Sequence, residues 1–267
     1  MKKTMKYLFM LIMIAVMYAP IVILAVYSFT DATSIGSIRG FSVQNYVTLF
    51  TNEELRAMII GTVVLALGSA LLATILGTLG AVGAFYSKKV ASATIHALNQ
   101  VPVVNADVVT GFSICILLIV AFGIDKESYI PLVIGHVVLS APFVYLSVVP
   151  KLKQMDGSLY EAALDLGATP GKAFTKVVIP QIMPGILAGF MLAITLSLDD
   201  YFIATYTKPA TFNTISTYVV NATKGSQTEI KTALWALSTV VFLVVILVVV
   251  LMNLCTKKEE EKGGTQI

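Results

Sequence analysis

Charged residues are scarce in this sequence of 267 residues. Lysine and arginine together number 18 and aspartate and glutamate 15, so that charged residues make up 12% of the chain against 57% for hydrophobic residues. A soluble domain has about 25% charged residues, and this deficit excludes a water-soluble globular protein. The net charge of +3 does not indicate nucleic-acid binding, because the lysines and arginines lie between apolar runs and form no basic face.

Metal ligands and nucleotide-binding motifs are also lacking. The two cysteines, Cys115 and Cys255, lie in apolar runs with no cysteine or histidine at a metal-binding spacing. The sequence has no Gly-x-x-x-x-Gly-Lys-Ser/Thr phosphate loop and offers no paired nucleophile and base. We therefore expect no enzymatic activity, no metal and no cofactor in this chain.

Long apolar runs are what the sequence has instead. A helix that crosses the hydrocarbon core of a membrane needs about 20 apolar residues. Six runs reach this length, namely residues 7–29, 57–87, 102–124, 128–150, 183–206 and 232–255. They predict an all-α membrane protein with six transmembrane helices.

The lysines and arginines predict how these helices are oriented. If all six runs cross the membrane, twelve of the 18 lie on the side of the N-terminus, and such residues in short loops tend to stay in the cytoplasm. Both termini and the connection 151–182 are therefore expected to be cytoplasmic. We expect one transmembrane domain over residues 1–256 and a disordered tail over 257–267, which lacks apolar residues that could pack.

The connection 151–182, between the fourth and fifth runs, has the pattern of two short helices. Ser158 and Glu161 have the spacing of a capping box, so that a first helix should begin at Ser158 and stop at Gly167. Thr169 predicts the N-cap of a second helix, and Pro180 predicts its end.

A set of residues in this connection resembles the inner loop of the permeases of ABC importers. The set is Glu161, Ala162, Ala163, Gly167, Val177, Ile179 and Pro180. The resemblance implies the type I ABC importer permease fold, in which this loop is a coupling helix seated in a cleft of a cytoplasmic ATPase. It assigns ATPase coupling to the first four residues of the set. The alternative is that Glu161 only caps its helix and Gly167 only ends it.

Three further segments extend the resemblance over nearly the whole chain. They read Phe41-Ser42-Val43-Gln44-Asn45-Tyr46, Asn105-Ala106-Asp107 and Leu196-Ser197-Leu198-Asp199-Asp200, and they resemble the spermidine/putrescine permease subunits of that family. The implied partners are a second permease subunit, a cytoplasmic ATPase dimer that binds ATP and Mg²⁺, and an extracytoplasmic substrate-binding protein. The implied location is the bacterial cytoplasmic membrane, where polyamines would cross by alternating access.

Three aspartates lie in or at the edge of the apolar runs. Each costs about 2.5–3.5 kcal/mol at the centre of a membrane helix, so a compensating function is expected. We expect Asp107 near the inner end of the third span and Asp199 and Asp200 in the outer half of the fifth, at intervals along a pathway for a flexible polycation. Ser197 is predicted to donate a hydrogen bond to Asp199, and Tyr46 to offer a cation–π surface to an ammonium group.

Simpler roles are open for the same residues. Asp107 would cap the third span together with Asn105, Tyr46 would anchor the chain at the membrane interface, and the aspartate pair would be interfacial or neutralised. His136, within the fourth run, is interpreted as isolated. For the whole chain, the alternatives are an ABC permease for ferric iron, an aminophosphonate or thiamine, and an ion-coupled secondary transporter or cation channel.

Overall fold

The structure is a computed structural model that describes residues 2–32, 40–224, 233–244 and 246. Within these residues the regular structure is helical, apart from one isolated antiparallel bridge between Thr30 and Phe41. The chain forms two compact units, one made of Met1–Ala57 with Tyr218–Ile267 and the other of Met58–Thr217. The predicted tail 257–267 and the end of the sixth predicted run lie outside the described residues.

The helices of the described part follow one another with short connections. They are α1 (Lys2–Ser28), α2 (Gln44–Thr51), α3 (Glu53–Tyr86), α4 (Lys89–Val104), α5 (Asp107–Ile116), α6 (Ile130–Gln154), α7 (Ser158–Asp165), α8 (Pro170–Ala173), α9 (Ile179–Asp199), α10 (Phe202–Thr207), α11 (Ile215–Lys224) and α12 (Ala233–Val244). A π-helical turn extends α5 over Leu117–Ala121, and another joins α8 to α9 over Phe174–Val178.

Four helical segments are long and apolar enough to cross a membrane. They are Met5–Ser28, Glu53–Tyr86, Ile130–Gln154 and Pro170–Asp199, and they correspond to the first, second, fourth and fifth predicted runs. The pair α4 and α5, bent by 106°, adds a fifth span if the two helices cross together. The prediction of an all-α membrane protein is confirmed. The described residues contain four or five candidate spans, and α12 begins the sixth predicted run.

The third predicted run, 102–124, is not one helix. Its first residue, Pro102, belongs to α4, and the chain bends sharply between α4 and α5. Asn105 and Ala106 are both extended, with ψ of 147° and 135°, and two successive extended residues interrupt the helical hydrogen bonds. The predicted start of this helix at Pro102 is wrong, whereas α5 and its π-helical turn cover 107–121 of the run, because a continuous apolar run indicates burial in a membrane and carries no information on where the backbone bends.

The fifth predicted run, 183–206, is divided near its end. α9 stops at Asp199, Asp200 is extended with ψ of 125°, and α10 begins at Phe202. The two aspartates therefore lie at a break between helices. Helix-breaking backbone at membrane depth is found where it borders a cavity or is buried in protein, and this break positions the candidate site.

The predicted helix end at Pro180 is wrong. α8, the π-helical turn and α9 form one continuous helical segment of 30 residues, Pro170–Asp199. A proline ring inside a helix normally strikes the carbonyl four residues earlier, which here belongs to Lys176 within the π-helical turn. The wider turn accommodates the ring, so the helix passes through the proline.

The inner connection begins and ends its first helix where the sequence predicted. α7 begins at Ser158, and Gly167 after its end has φ of 85°, a left-handed conformation that favours glycine. The predicted capping box does not form. Instead the Asp156 carboxylate accepts the backbone N–H of Ser158 at 3.0 Å, and hydrogen bonds from the side chain and backbone of Ser158 lower the pKa of Asp156.

Glycines let α6 and α9 approach each other closely in the second unit. A Cβ atom at Gly185 would lie 2.9 Å from the Ser147 carbonyl oxygen, and one at Gly189 would lie 3.0 Å from the Cα of Val144. Small residues four positions apart permit such contact between membrane helices. The interface between α6 and α9 is therefore tightly packed.

Candidate functional site

An acidic cavity of about 270 Å³ lies where α5 begins and α9 ends. Asp107, Asp199 and Asp200 line it together with Leu139, Tyr201 and Phe202. The structure thus brings the three predicted aspartates to one place. The predicted spacing, with Asp107 near the inner end of its span and the pair in the outer half, is wrong.

Asp107 lies far from the end of α3, where the second span ends, because α4 comes between them. α4 has 16 residues before the bend, which is about 24 Å of helix at 1.5 Å per residue. Asp107 is the first residue of α5 and is exposed. The alternative role as a cap is not supported, since the N-cap of α5 is Ala106 and the Asn105 amide donates to the Thr110 hydroxyl at 2.9 Å. A carboxylate in the first turn is still favoured by the helix dipole.

Asp199 and Asp200 are adjacent but have different environments. Asp200 is 7% exposed, and its two carboxylate oxygens accept the backbone N–H groups of Ile203 at 3.2 Å and Ala204 at 2.7 Å. These bonds satisfy the first N–H groups of α10, which otherwise have no helical partner. Asp199 is exposed and forms no hydrogen bond or ion pair within the described part of the chain. Asp200 therefore builds the helix break, and Asp199 offers a free carboxylate.

A buried polar chain lies beside Asp200. His136 Nδ1 is 2.8 Å from the Ser197 hydroxyl, which is 3.2 Å from the hydroxyl of Ser69. Ser69 in turn donates to the carbonyl of Leu65 at 2.7 Å. The predicted bond from Ser197 to Asp199 is therefore wrong. Residues two apart on a helix differ by about 200° in direction, so Ser197 faces the interior while Asp199 faces the cavity.

His136 is the site residue that the sequence interpretation missed. It is fully buried, and its Nε2 lies 3.7 Å from an oxygen of Asp200. Within the described part of the chain that nitrogen has no hydrogen-bond partner, which is uncommon for a buried polar atom. A histidine within an apolar span is itself a signal. Its partners, however, lie in other helices, and only the folded chain brings them together.

The short helix α10 is held tightly against its neighbours. A Cβ atom at Gly111 of α5 would lie 2.9 Å from the Cα of Ile203, and one at Gly135 of α6 would lie 2.6 Å from its Cγ2. Ile203 itself is fully buried. The break after Asp199 is therefore a packed and hydrogen-bonded feature, because the backbone on both of its sides has a defined place.

Tyr46 belongs to the other compact unit. Its hydroxyl lies 2.9 Å from that of Ser28, and its ring is 4.9 Å from the ring of Phe29. Asn45 beside it donates to the carbonyls of Ser28 at 3.2 Å and Thr30 at 3.1 Å. These contacts join α2 to the end of α1 and give Tyr46 a structural role. Its contact with substrate stays a prediction.

The predicted coupling residues lie on and after α7. Glu161 and Ala162 are exposed, Ala163 is half-buried, and Gly167 ends the helix. Leu166, directly before Gly167, is 89% exposed.

Comparisons with known proteins agree with this architecture. A protein-family model described as "Binding-protein-dependent transport system inner membrane component" matches residues 73–258. The putrescine transport system permease protein PotI of Escherichia coli K12 is 32% identical over 235 residues, covering 84% of this chain and 81% of PotI. The spermidine/putrescine transport system permease protein PotC of the same organism is 29% identical over 258 residues, covering 96% of this chain and 95% of PotC.

The solved structures that resemble this chain have low sequence identity to it, so they show similarity of fold alone. A chain from a bacterial ABC transporter that imports the acidic polysaccharide alginate superposes with a TM-score of 0.72 at 19% identity, covering 96% of both chains. A chain of the MetNI methionine ABC transporter in an inward-facing conformation superposes with a TM-score of 0.55 at 15% identity, covering 78% of this chain and 99% of that one.

Proposed function

Because this chain belongs to the family of binding-protein-dependent transport system inner membrane components, we propose that it is a permease subunit of an ATP-driven ABC importer for polyamines such as spermidine and putrescine. The main structural support for a polyamine substrate is that Asp107, Asp199 and Asp200 line one cavity. The similarity to polyamine permeases supports the same substrate.

The chemistry of the acidic cavity suits a flexible polycation. Ammonium groups that leave water need carboxylates in place of their hydration, and binding must be weak enough for release. Asp107 and Asp199 are exposed to the cavity, whereas Asp200 is held by backbone N–H groups and faces His136. We assign direct substrate contact to Asp107 and Asp199. Asp200 and Ser197 keep the break between α9 and α10 in place.

The continuous segment Pro170–Asp199 gives a mechanical route from the inner connection to this cavity. It begins directly after α7 and ends at the free carboxylate of Asp199. At 1.5 Å per residue its 30 residues extend about 45 Å. A displacement of α7 by an ATPase would therefore move the wall of the acidic cavity. Alternating access then exposes the cavity first outward and then inward.

The inner connection is the coupling element in this proposal. Glu161, Ala162, Ala163 and Gly167 would contact the ATPase, with small alanines permitting close backbone approach and exposed Leu166 entering the cleft. This requires six spans with both termini and α7 in the cytoplasm. A second permease subunit would complete the pathway, a cytoplasmic ATPase dimer would bind ATP and Mg²⁺, and an extracytoplasmic binding protein would deliver the substrate.

Reconstitution of the complete transporter in liposomes tests the proposal. ATP enclosed with the ATPase subunits should drive uptake of labelled spermidine or putrescine supplied with the binding protein, and unlabelled ferric iron, aminophosphonate or thiamine should not compete. Uptake by this chain without any ATPase would overturn the importer mechanism in favour of a channel or secondary transporter. ATP-driven uptake of another solute but of no polyamine would overturn the substrate assignment alone.

A further inference from the structure

A second cavity, of about 400 Å³, lies between α3, α4 and α6 and takes no part in the proposed transport mechanism. We call it the basic groove. The residues that define it are Ala84 of α3, Lys89, Ser92 and His96 of α4, and Tyr145 and Lys153 of α6. All of them belong to the second compact unit.

The two lysines of the groove lie where membrane spans end. Lys89 follows the end of α3 at Tyr86 by three residues, and Lys153 is the penultimate residue of α6. Both side chains are exposed. Cations at the end of a span lie at the level of lipid headgroups. Lys89 also opens the 16-residue helix α4, whose N-terminal N–H groups add positive partial charge.

The walls of the groove are mostly apolar, with small alanines beside Val149 and the larger Phe85. Ala81 and Ala84 are buried on α3, Ala93 lies on α4, and Val149 lies on α6 between the polar residues Tyr145 and Lys153. Residues 145, 149 and 153 are four apart, so they form one stripe along α6. A trough with apolar walls and cations at one end matches an amphiphile that carries a negative charge at its head.

The floor of the groove adds groups for hydrogen bonding. The hydroxyl of Tyr145 lies 3.3 Å from Nδ1 of His96, and both side chains line the groove. No carboxylate lines it in the part of the chain that the structure describes. The charges of Lys89 and Lys153 are therefore not neutralised inside the groove, and an anion would meet both.

We propose that the basic groove binds an anionic glycerophospholipid, with the phosphate between Lys89 and Lys153 and one acyl chain along the alanine wall. The lipid is favoured over a soluble phosphate because the groove continues as an apolar trough beside two membrane spans. It is favoured over a neutral lipid because two lysines and no carboxylate of the described residues line the groove. The proposal does not depend on which solute the transporter carries.

The test uses the complete transporter in nanodiscs that contain phosphatidylglycerol or phosphatidylcholine with a photoactivatable acyl chain. After illumination, labelled peptides are identified by mass spectrometry. Phosphatidylglycerol should label peptides of α3, α4 and α6 about tenfold more than phosphatidylcholine, because each lysine near an anionic headgroup strengthens binding severalfold.

The chain offers a matched control pair. Lys88 and Lys151 neighbour the groove lysines in sequence but do not line the groove. Lys89→Gln with Lys153→Gln should lower phosphatidylglycerol labelling about tenfold, whereas Lys88→Gln with Lys151→Gln removes the same charge and should leave labelling unchanged. Equal losses in both double variants would show general attraction to the membrane surface and would overturn the site.

Other outcomes also decide the question. Equal labelling by both lipids would make the groove an unspecific apolar surface. Absence of labelling in the assembled transporter would mean that a protein partner covers the groove. Loss of labelling on addition of millimolar inorganic phosphate to the nanodiscs would identify a soluble phosphate as the occupant. Each of these results would overturn the proposal of a bound lipid.

Discussion

The acidic cavity and the basic groove lie in the same compact unit but are built differently. The acidic cavity lies at two interruptions of the backbone, before α5 and after α9. The basic groove lies between α3, α4 and α6, and its lysines project from span ends. The shape of the acidic cavity depends on the backbone conformation at the two breaks. The shape of the basic groove depends only on how whole helices pack.

The difference follows from where charge is placed relative to the membrane. A buried carboxylate is costly unless its oxygens accept hydrogen bonds, and both oxygens of Asp200 accept backbone N–H groups at the start of α10. A lysine at the end of a span extends its charge into the headgroup region at little cost. Substitutions should therefore affect stability at the acidic cavity and leave it almost unchanged at the basic groove.

The largest stability effect is expected at Asp200. Asp200→Asn replaces one of two accepting oxygens by an N–H donor that faces a backbone N–H, and an unsatisfied buried group costs about 1–3 kcal/mol. Asp199→Asn should change stability by less than about 0.5 kcal/mol, because Asp199 is exposed. Unfolding of the purified chain in mixed detergent micelles measures both. Equal effects at the two positions would remove the distinction between the structural and the free carboxylate.

A loss of similar size is expected from Gly111→Ala. The added Cβ would lie 2.9 Å from the Cα of Ile203, so that the backbone of α10 must move, and overpacking of this kind costs about 1–3 kcal/mol. Gly68→Ala is the control, since a Cβ there meets none of the described residues within 4 Å. The same unfolding measurement applies. A neutral Gly111→Ala would mean that α10 is not held as tightly as its contacts indicate.

The buried chain should respond to its own substitutions. His136→Leu removes the 2.8 Å contact with Ser197 and the group that faces Asp200, and should cost about 1–2 kcal/mol. His136→Asn can keep the bond to Ser197 and should recover part of this loss. If both variants are equally unstable, the contribution of His136 is its volume and not its hydrogen bond.

The smallest effect on stability is expected at the basic groove. Lys89→Gln with Lys153→Gln should shift the free energy of unfolding by less than about 0.5 kcal/mol, as is usual for exposed side chains. Lipid labelling is the property that should change. A loss of stability comparable to that of Asp200→Asn, measured in the same micelles, would contradict the contrast between the two sites.

Much of the architecture could be predicted from the sequence. Apolar runs of sufficient length identify membrane spans without knowledge of tertiary contacts, and four of the runs appear as long helices. The turn at Gly167 could also be predicted, because glycine favours the left-handed conformation that ends a helix. The start of α7 at Ser158 was predicted correctly, although Asp156 and not the expected capping box accepts its N–H. These features depend on local chemistry.

The helix breaks and the polar chain could not be predicted in the same way. At the break between α9 and α10, Ile203 is packed against Gly111 and Gly135 from two other helices, and these contacts cannot be read from the local sequence. Ser197 turns away from Asp199 toward His136, a residue 61 positions away. Asp107, Asp199 and Asp200 could be selected as candidates from the sequence, because charge in an apolar run is a local signal. Their convergence is a property of the fold.

The measurement that tests the central claim most directly is labelled spermidine uptake by the complete transporter carrying Asp107→Asn and Asp199→Asn, with Asp199→Glu as the conservative control. Assembly with the ATPase is checked by co-purification. Because each lost contact with an ammonium group is worth about 1.5–3 kcal/mol, uptake by the double variant should fall at least tenfold in an intact complex, and Asp199→Glu should retain most of it. Unchanged uptake by the double variant would contradict the assignment of the acidic cavity to the polyamine pathway.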